Sequence, residues 1–131
     1  LWGDLPYFEA FNGNAAEAIK YAKFDDSQAI YTDLIAQLTE AATNLSAATG
    51  LNVAATADPI YGGSTAKWIR AANSLKLKLL LQTRLVNGSA AADIAAAINA
   101  TGGLITATAD DFQFEFGRLL NPDNRHPWYQ N

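Results

Sequence analysis

Between residues 27 and 48 the apolar positions Ile30, Leu34, Leu38, Ala41 and Leu45 follow one another at steps of 4, 4, 3 and 4. That rhythm puts them on one stripe of a 3.6-residue helix and predicts an amphipathic helix over 27–48. Asp25, Asp26 and Ser27 offer side-chain oxygens to its free first-turn amides, and Gly50 is a suitable stop. After a turn-rich linker over 51–63, Ser64 or Thr65 can cap a second helix running to about residue 86. Its stripe is Trp68, Ala72, Leu75 and Leu79, widened by Ile69, Leu80 and Leu81, while Lys67, Arg70, Lys76, Lys78 and Arg84 point elsewhere. Asn87-Gly88 ends it, and a weaker third helix is expected over 90–100, stopped by Gly102-Gly103.

The two ends of the chain follow other rules. Residues 1–24 crowd Trp2, Tyr7, Phe8, Phe11, Tyr21 and Phe24 among breakers, which predicts a loop packed by its own aromatics, with room for a short helix near 15–22. Phe112, Phe114 and Phe116 alternate with Gln113 and Glu115, a period of two. This predicts a short strand or extended segment with its aromatic side against the helices. Residues 121–124 read as a turn and 125–129 as a loop.

Two long antiparallel helices joined by a short linker cannot bury both stripes alone. The expected fold is therefore mainly α: helical hairpins of a tetratricopeptide-like α-solenoid, with the extended aromatic segment near the C-terminus. The helix starts lie about 37 residues apart, near the tetratricopeptide period, although its consensus is not visible. Ile30, Leu34, Leu38, Trp68, Leu75 and Leu79 are the expected core, with Trp68 packed on the first helix. Asn73 is a poor mid-helix choice unless its amide serves a neighbouring loop.

Composition narrows the functions open to such a scaffold. Of 131 residues, 50% are hydrophobic, 17% are charged and 26 are Ala, which fits a folded, helix-rich chain. A net charge of −4 argues against nucleic-acid binding, which needs a basic surface. The absence of Cys excludes disulfides, thiolate metal sites and a Cys nucleophile, and the single His126 excludes a multi-histidine metal site within these residues. No apolar run approaches the roughly 18 residues of a bilayer span. The chain opens at Leu1 without a signal-peptide pattern and is read as one partial domain, 1–131, of something longer.

Candidate chemistry is sparse. The Gly62-Gly63 turn before the second helix lacks the phosphate-loop pattern. Asp25-Asp26 and Asp110-Asp111 fit caps and turns better than a calcium loop, and no nucleophile elbow accompanies His126. Catalysis, cofactors and metals are not expected. The best candidate for an exposed functional loop is 125–129, with Asn124 just ahead of it. There Trp128 and Tyr129 could stack on the apolar faces of sugars while Asn124 and Arg125 take hydroxyls.

Three segments carry a resemblance. They are L-W-G-D-L-P-Y-F-E-A over 1–10, D-P-I-Y-G-G-S-T-A-K-W-I-R-A-A-N-S-L-K-L-K-L-L-L-Q-T-R over 58–84, and Asn121-Pro122 followed by Arg125-His126-Pro127-Trp128-Tyr129. Together they resemble the SusD/RagB family of surface nutrient-binding lipoproteins, and the middle segment is the most specific. The resemblance covers essentially the whole chain but only a minority of a family member. It lacks the family's lipid-bearing cysteine and long C-terminal portion. It implies a lipid-anchored protein at the outer face of the outer membrane. Such a protein captures a glycan or other nutrient without catalysis and delivers it to a SusC-like TonB-dependent transporter. The alternative is a helical adaptor that binds a protein partner and no carbohydrate.

Overall fold

Helix α1 (Ser27–Ala47) begins where the chain supplies acceptors for its orphan amides. One Asp26 carboxylate oxygen accepts the N–H groups of Gln28 and Ala29 at 2.8 and 3.1 Å, and Asp4, from the N-terminal segment, accepts Ser27 N–H at 3.0 Å. Asp25, which is buried, turns its carboxylate the other way and accepts the amides of Tyr7 and Phe8. The two adjacent acids thus tie segment 4–8 to the start of α1, helped by an isolated bridge between Leu5 and Asp25. The computed structural model describes residues 3–14, 20–47, 54–120 and 124–129. Trp2, residues 15–19 of the expected short helix, the Gly50 stop and residues 121–123 of the expected turn lie outside these, and 20–22 are not helical.

Helix α2 (Thr65–Thr83) is capped by Ser64, whose hydroxyl accepts Lys67 N–H. It stops three residues before the expected end. Past Thr83 the chain closes in a turn over 84–86, where the Thr83 carbonyl takes both Val86 and Asn87 N–H. Helix α3 (Ala90–Ile98) also closes early, with the Asn99 side chain occupying the Ala95 carbonyl. Helices α1 and α2 run antiparallel. Tyr31 near the start of α1 bonds Gln82 near the end of α2, and Lys76 reaches Thr39 midway. No strand forms among the described residues, so 111–119 is an extended segment without ladder partners, and no described helix is long and apolar enough to cross a membrane.

The core sits around α2, but not on the expected stripe. Ile69, Asn73 and Leu80 of α2 are buried, with Ile30 of α1, Tyr61 of the linker and Ala90 and Ala97 of α3. Leu34, Leu38, Trp68 and Leu79 are half-buried. Leu75, expected in the core, is 47% exposed. The reason is that α2 is sandwiched, with α1 on one side and α3 and its following segment on the other. Its most enclosed face is rotated one residue from the Trp68 stripe, and Leu75 lines an open groove against α1. In all, the chain exposes 9752 Å², where a folded chain of its mass standing alone shows about 6,700 Å². A hairpin unit that leaves its apolar flanks open accounts for such an excess.

Candidate functional site

The segment D-P-I-Y-G-G-S before α2 is a buried anion wrapped in donors. One Asp58 oxygen accepts Ile60 and Tyr61 N–H, each at 3.1 Å; the other accepts Gly63 N–H and the Trp68 indole N–H, both at 2.8 Å. Burial alone would raise the carboxyl, but the donors from Tyr61, Trp68, Gly63 and Ile60 outweigh it and hold its pKa at about 2. Gly63 delivers its amide from the left-handed region, at φ 85°. The indole is therefore oriented by the turn. Tyr61 and Phe112 meet it edge to face at 5.1 and 5.7 Å between centroids. Trp68 is a half-buried wall between this aromatic group and the groove, where an indole buried in the core against α1 was expected.

Four polar side chains of α2 then grip the descending chain. Lys67 donates to the Ala109 carbonyl, Arg70 pairs with Asp110 at 3.0 Å, Asn73 donates to the carbonyls of both Thr101 and Gly103, and the Ser74 hydroxyl accepts Ile105 N–H. Tyr61 adds its hydroxyl to the Asp110 carbonyl. Asn73 thus serves a neighbouring loop, as its mid-helix position suggested. Gly102, at φ 89°, lies where any Cβ would fall 2.5 Å from Ile69 Cγ2. This strap fixes where the chain leaves the helices and so where residues 112–129 begin.

Beyond the strap the aromatics regroup. Phe112 packs on Tyr61 and Trp68 as expected, but Phe114 and Phe116 meet each other at 4.8 Å, and Phe116 meets His126 at 4.6 Å. His126 in turn lies edge-on to Trp128 and Tyr129. The closure comes from Asn124: its backbone carbonyl accepts Gly117 N–H at 2.7 Å and its side-chain oxygen accepts Leu119 N–H at 2.9 Å. Gly117 has no room for a Cβ beside that side chain.

Of the four residues expected to meet ligand, Asn124 is thus engaged as a turn staple. Trp128 and Tyr129 are 87% and 72% exposed, and Arg125 is half-buried. A cavity of about 430 Å³ is lined by Phe116, Gly117, Arg118, Arg125, His126 and Tyr129. A second, about 510 Å³, shares Phe116, Gly117 and Arg125 with it and adds Phe114 and Glu115. Sequence reasoning placed His126 in this loop but missed Phe114, Phe116 and Arg118 as members of the cluster. The period-two alternation was the available signal for the two Phe residues, and it was assigned to helix packing instead.

Two other features are chemically plain. The groove between α1 and α2, about 650 Å³, is walled by Leu38, Ala41, Leu45, Trp68, Leu75 and Phe112, with Lys78 on its lining as the charged group. The paired acids are engaged in structure: Asp25 and Asp26 as above, and Asp110 with Arg70. Among the described residues no group of three or more His, Cys, Asp or Glu is placed to hold a metal ion.

The comparisons with known proteins agree with this architecture. A family described as starch-binding and associating with the outer membrane matches residues 1–131. A search of curated proteins finds no match. Among solved structures, a SusD homolog from Bacteroides uniformis is 29% identical with a TM-score of 0.72, over 88% of this chain and 23% of its own. A SusD homolog from Bacteroides ovatus is 32% identical, with a TM-score of 0.67 over 82% of this chain and 22% of its own. An outer-membrane protein of Bacteroides vulgatus, described in terms of nutrient binding, shares the fold at 21% identity, with a TM-score of 0.77 over 97% of this chain and 27% of its own. The chain thus spans about a quarter of the length of these proteins. With a mainly helical, tetratricopeptide-like scaffold common to them and a family match along its whole length, the chain belongs to the SusD-like family.

Proposed function

We propose that residues 1–131 are part of the helical scaffold of an outer-membrane nutrient receptor, a single partial domain that binds a glycan and does not transform it. The observation that carries this reading is the aromatic loop: Trp128 and Tyr129 stand exposed beside Phe116 and His126, with Arg125 on the same cavity. Sugars present flat C–H faces that stack on such rings and hydroxyls that guanidinium and amide groups bind. The family description, starch-binding and outer-membrane-associated, supports the same ligand class and location. The full-length protein is lipid-anchored and cell-surface exposed, and it hands its ligand to a SusC-like TonB-dependent transporter. Calorimetric titration of the full-length protein with oligosaccharides tests the reading. Binding should weaken about tenfold or more when Trp128 and Tyr129 are both replaced by Ala. Unchanged affinity, or hydrolysis of the glycan by a pure preparation, overturns it.

The apolar groove between α1 and α2 favours a second reading, a helical adaptor for a protein partner. Binding of the full-length protein to a peptide or a barrel, with no response on a glycan array, would select it.

A further inference from the structure

The groove between α1 and α2 has the build of a seat for a third helix. Leu38, Ala41 and Leu45 on one wall, and Trp68, Ala72 and Leu75 on the other, follow one another at steps of three or four residues. Each wall is therefore a helical ridge two turns long, about 10 Å at 1.5 Å per residue. On both walls bulky side chains stand at the ends with an alanine between them. That leaves a trough of about 650 Å³ into which the ridge of another helix fits. Leu75 is 47% exposed on this lining, which also carries Lys78. Past Lys78 the apolar surface runs on over Leu81, itself 44% exposed.

Area decides between the possible occupants. The chain exposes about 3,000 Å² more than a folded chain of its mass standing alone. A stable complex of two separate molecules covers about 800 Å² on each. A second copy or a docked partner leaves most of that excess open, whereas further length of the same chain can close it. The solved relatives have that length, since the matched residues make up between 22% and 27% of them. Closing the groove also takes water from the Lys78 ammonium, and a desolvated cation is stable only when paired. A helix spends its carbonyls on its own turns, so its side-chain carboxylates are what it has to offer. Resting on the reading of residues 1–131 as one part of a longer receptor, we propose that a helix from the rest of the same chain fills the groove. It lays apolar residues at three- and four-residue steps over Ala41 and Ala72, and one of its carboxylates meets Lys78. The groove is then interior in the finished protein, and the adaptor reading loses its docking surface.

The test is thiol labelling of the purified full-length protein, with no transporter present. Residues 1–131 hold no Cys, so L75C on one wall and A41C on the other each place one thiol there. Mass spectrometry of the peptide that carries it reads that site alone. Labelling by a bulky maleimide should run about a hundredfold slower than in the urea-unfolded protein, at both sites and at every protein concentration. Rates within about tenfold of the unfolded protein at both sites mean an open groove and overturn the inference. Protection that disappears on dilution assigns the cover to a second copy and overturns it as well. In the L75C protein, K78E should speed labelling about tenfold and K78Q less, because only K78E sets two carboxylates together; equal rates overturn the acidic partner. An intact protein of 14.0 kDa, no longer than these residues, overturns instead the reading of a partial domain. That outcome is told apart from an open groove in a longer protein by mass alone.

Discussion

Asn73 makes a demanding test of the strap that positions the aromatic tail. It is 5% exposed at the middle of α2, and its amide donates to two backbone carbonyls, Thr101 at 3.1 Å and Gly103 at 2.9 Å. Asn73→Ala leaves both carbonyls facing a methyl group in an enclosed place. Two such bonds contribute about 1–3 kcal/mol together, and the better helix propensity of Ala recovers only a few tenths of that. Unfolding entropy near 2.1 cal/mol/K per residue gives about 0.28 kcal/mol/K for a chain this long, so Tm should fall by roughly 4–11 °C. Asn73→Asp sharpens the test, since it keeps the shape but sets a carboxylate against two carbonyl oxygens. It should be worse than Asn73→Ala at pH 7 and recover as acid protonates it and restores a donor. Circular dichroism melts of the three proteins measure the loss. Hydrogen exchange should show faster exchange at 101–110 in both variants. A Tm within about 1 °C of the parent for both would mean that water serves those carbonyls, and the gripping role of α2 would be wrong.

Two further outcomes follow from the same surroundings. Gly102→Ala meets both a left-handed φ and Ile69, so it should destabilise by about 1–3 kcal/mol in urea unfolding. Gly88→Ala, with open space around it and no positive φ, should stay within about 0.5 kcal/mol; equal effects would refute the clash. Asp58, whose pKa is depressed from 3.8 to about 2, stabilises the fold fully above about pH 4, and that contribution is lost as pH falls towards 2. Asp93, lowered by Ser89 and Asn87, acts in the same direction. Asp58→Asn cannot accept all four donors. Unfolding measured from pH 7 to 2.5 should show lower stability at neutral pH and a flatter acid limb, and a limb as steep as the parent's would remove Asp58 from the account.

The helices were legible in the sequence because their signals are local. A stripe at 30, 34, 38, 41 and 45, an aspartate ahead of it and a Ser cap before Thr65 act within one or two turns of backbone, where chemistry depends on near neighbours. The same local logic placed Asn73 on a neighbouring loop. Ends were less legible: α2 gives way after Thr83 to a turn over 84–86, although the apolar pattern runs on through Leu85 and Val86.

What only the tertiary structure decided is which side of α2 is inside, and what the tail touches. Periodicity specifies a stripe but not its partners; α2 has neighbours on two sides, so burial shifted to Ile69, Asn73 and Leu80 and left Leu75 on a groove. The alternation of Phe112, Phe114 and Phe116 was visible, but its division was not, because Asn124 closes back on Gly117 and draws Phe116 to His126. Contacts across such distances along the chain depend on where the strap releases the backbone. That is set by Asp58, Arg70 and Asn73 acting on residues 28 to 40 positions away or through an indole ten positions on, and no pattern read along the chain contains those distances.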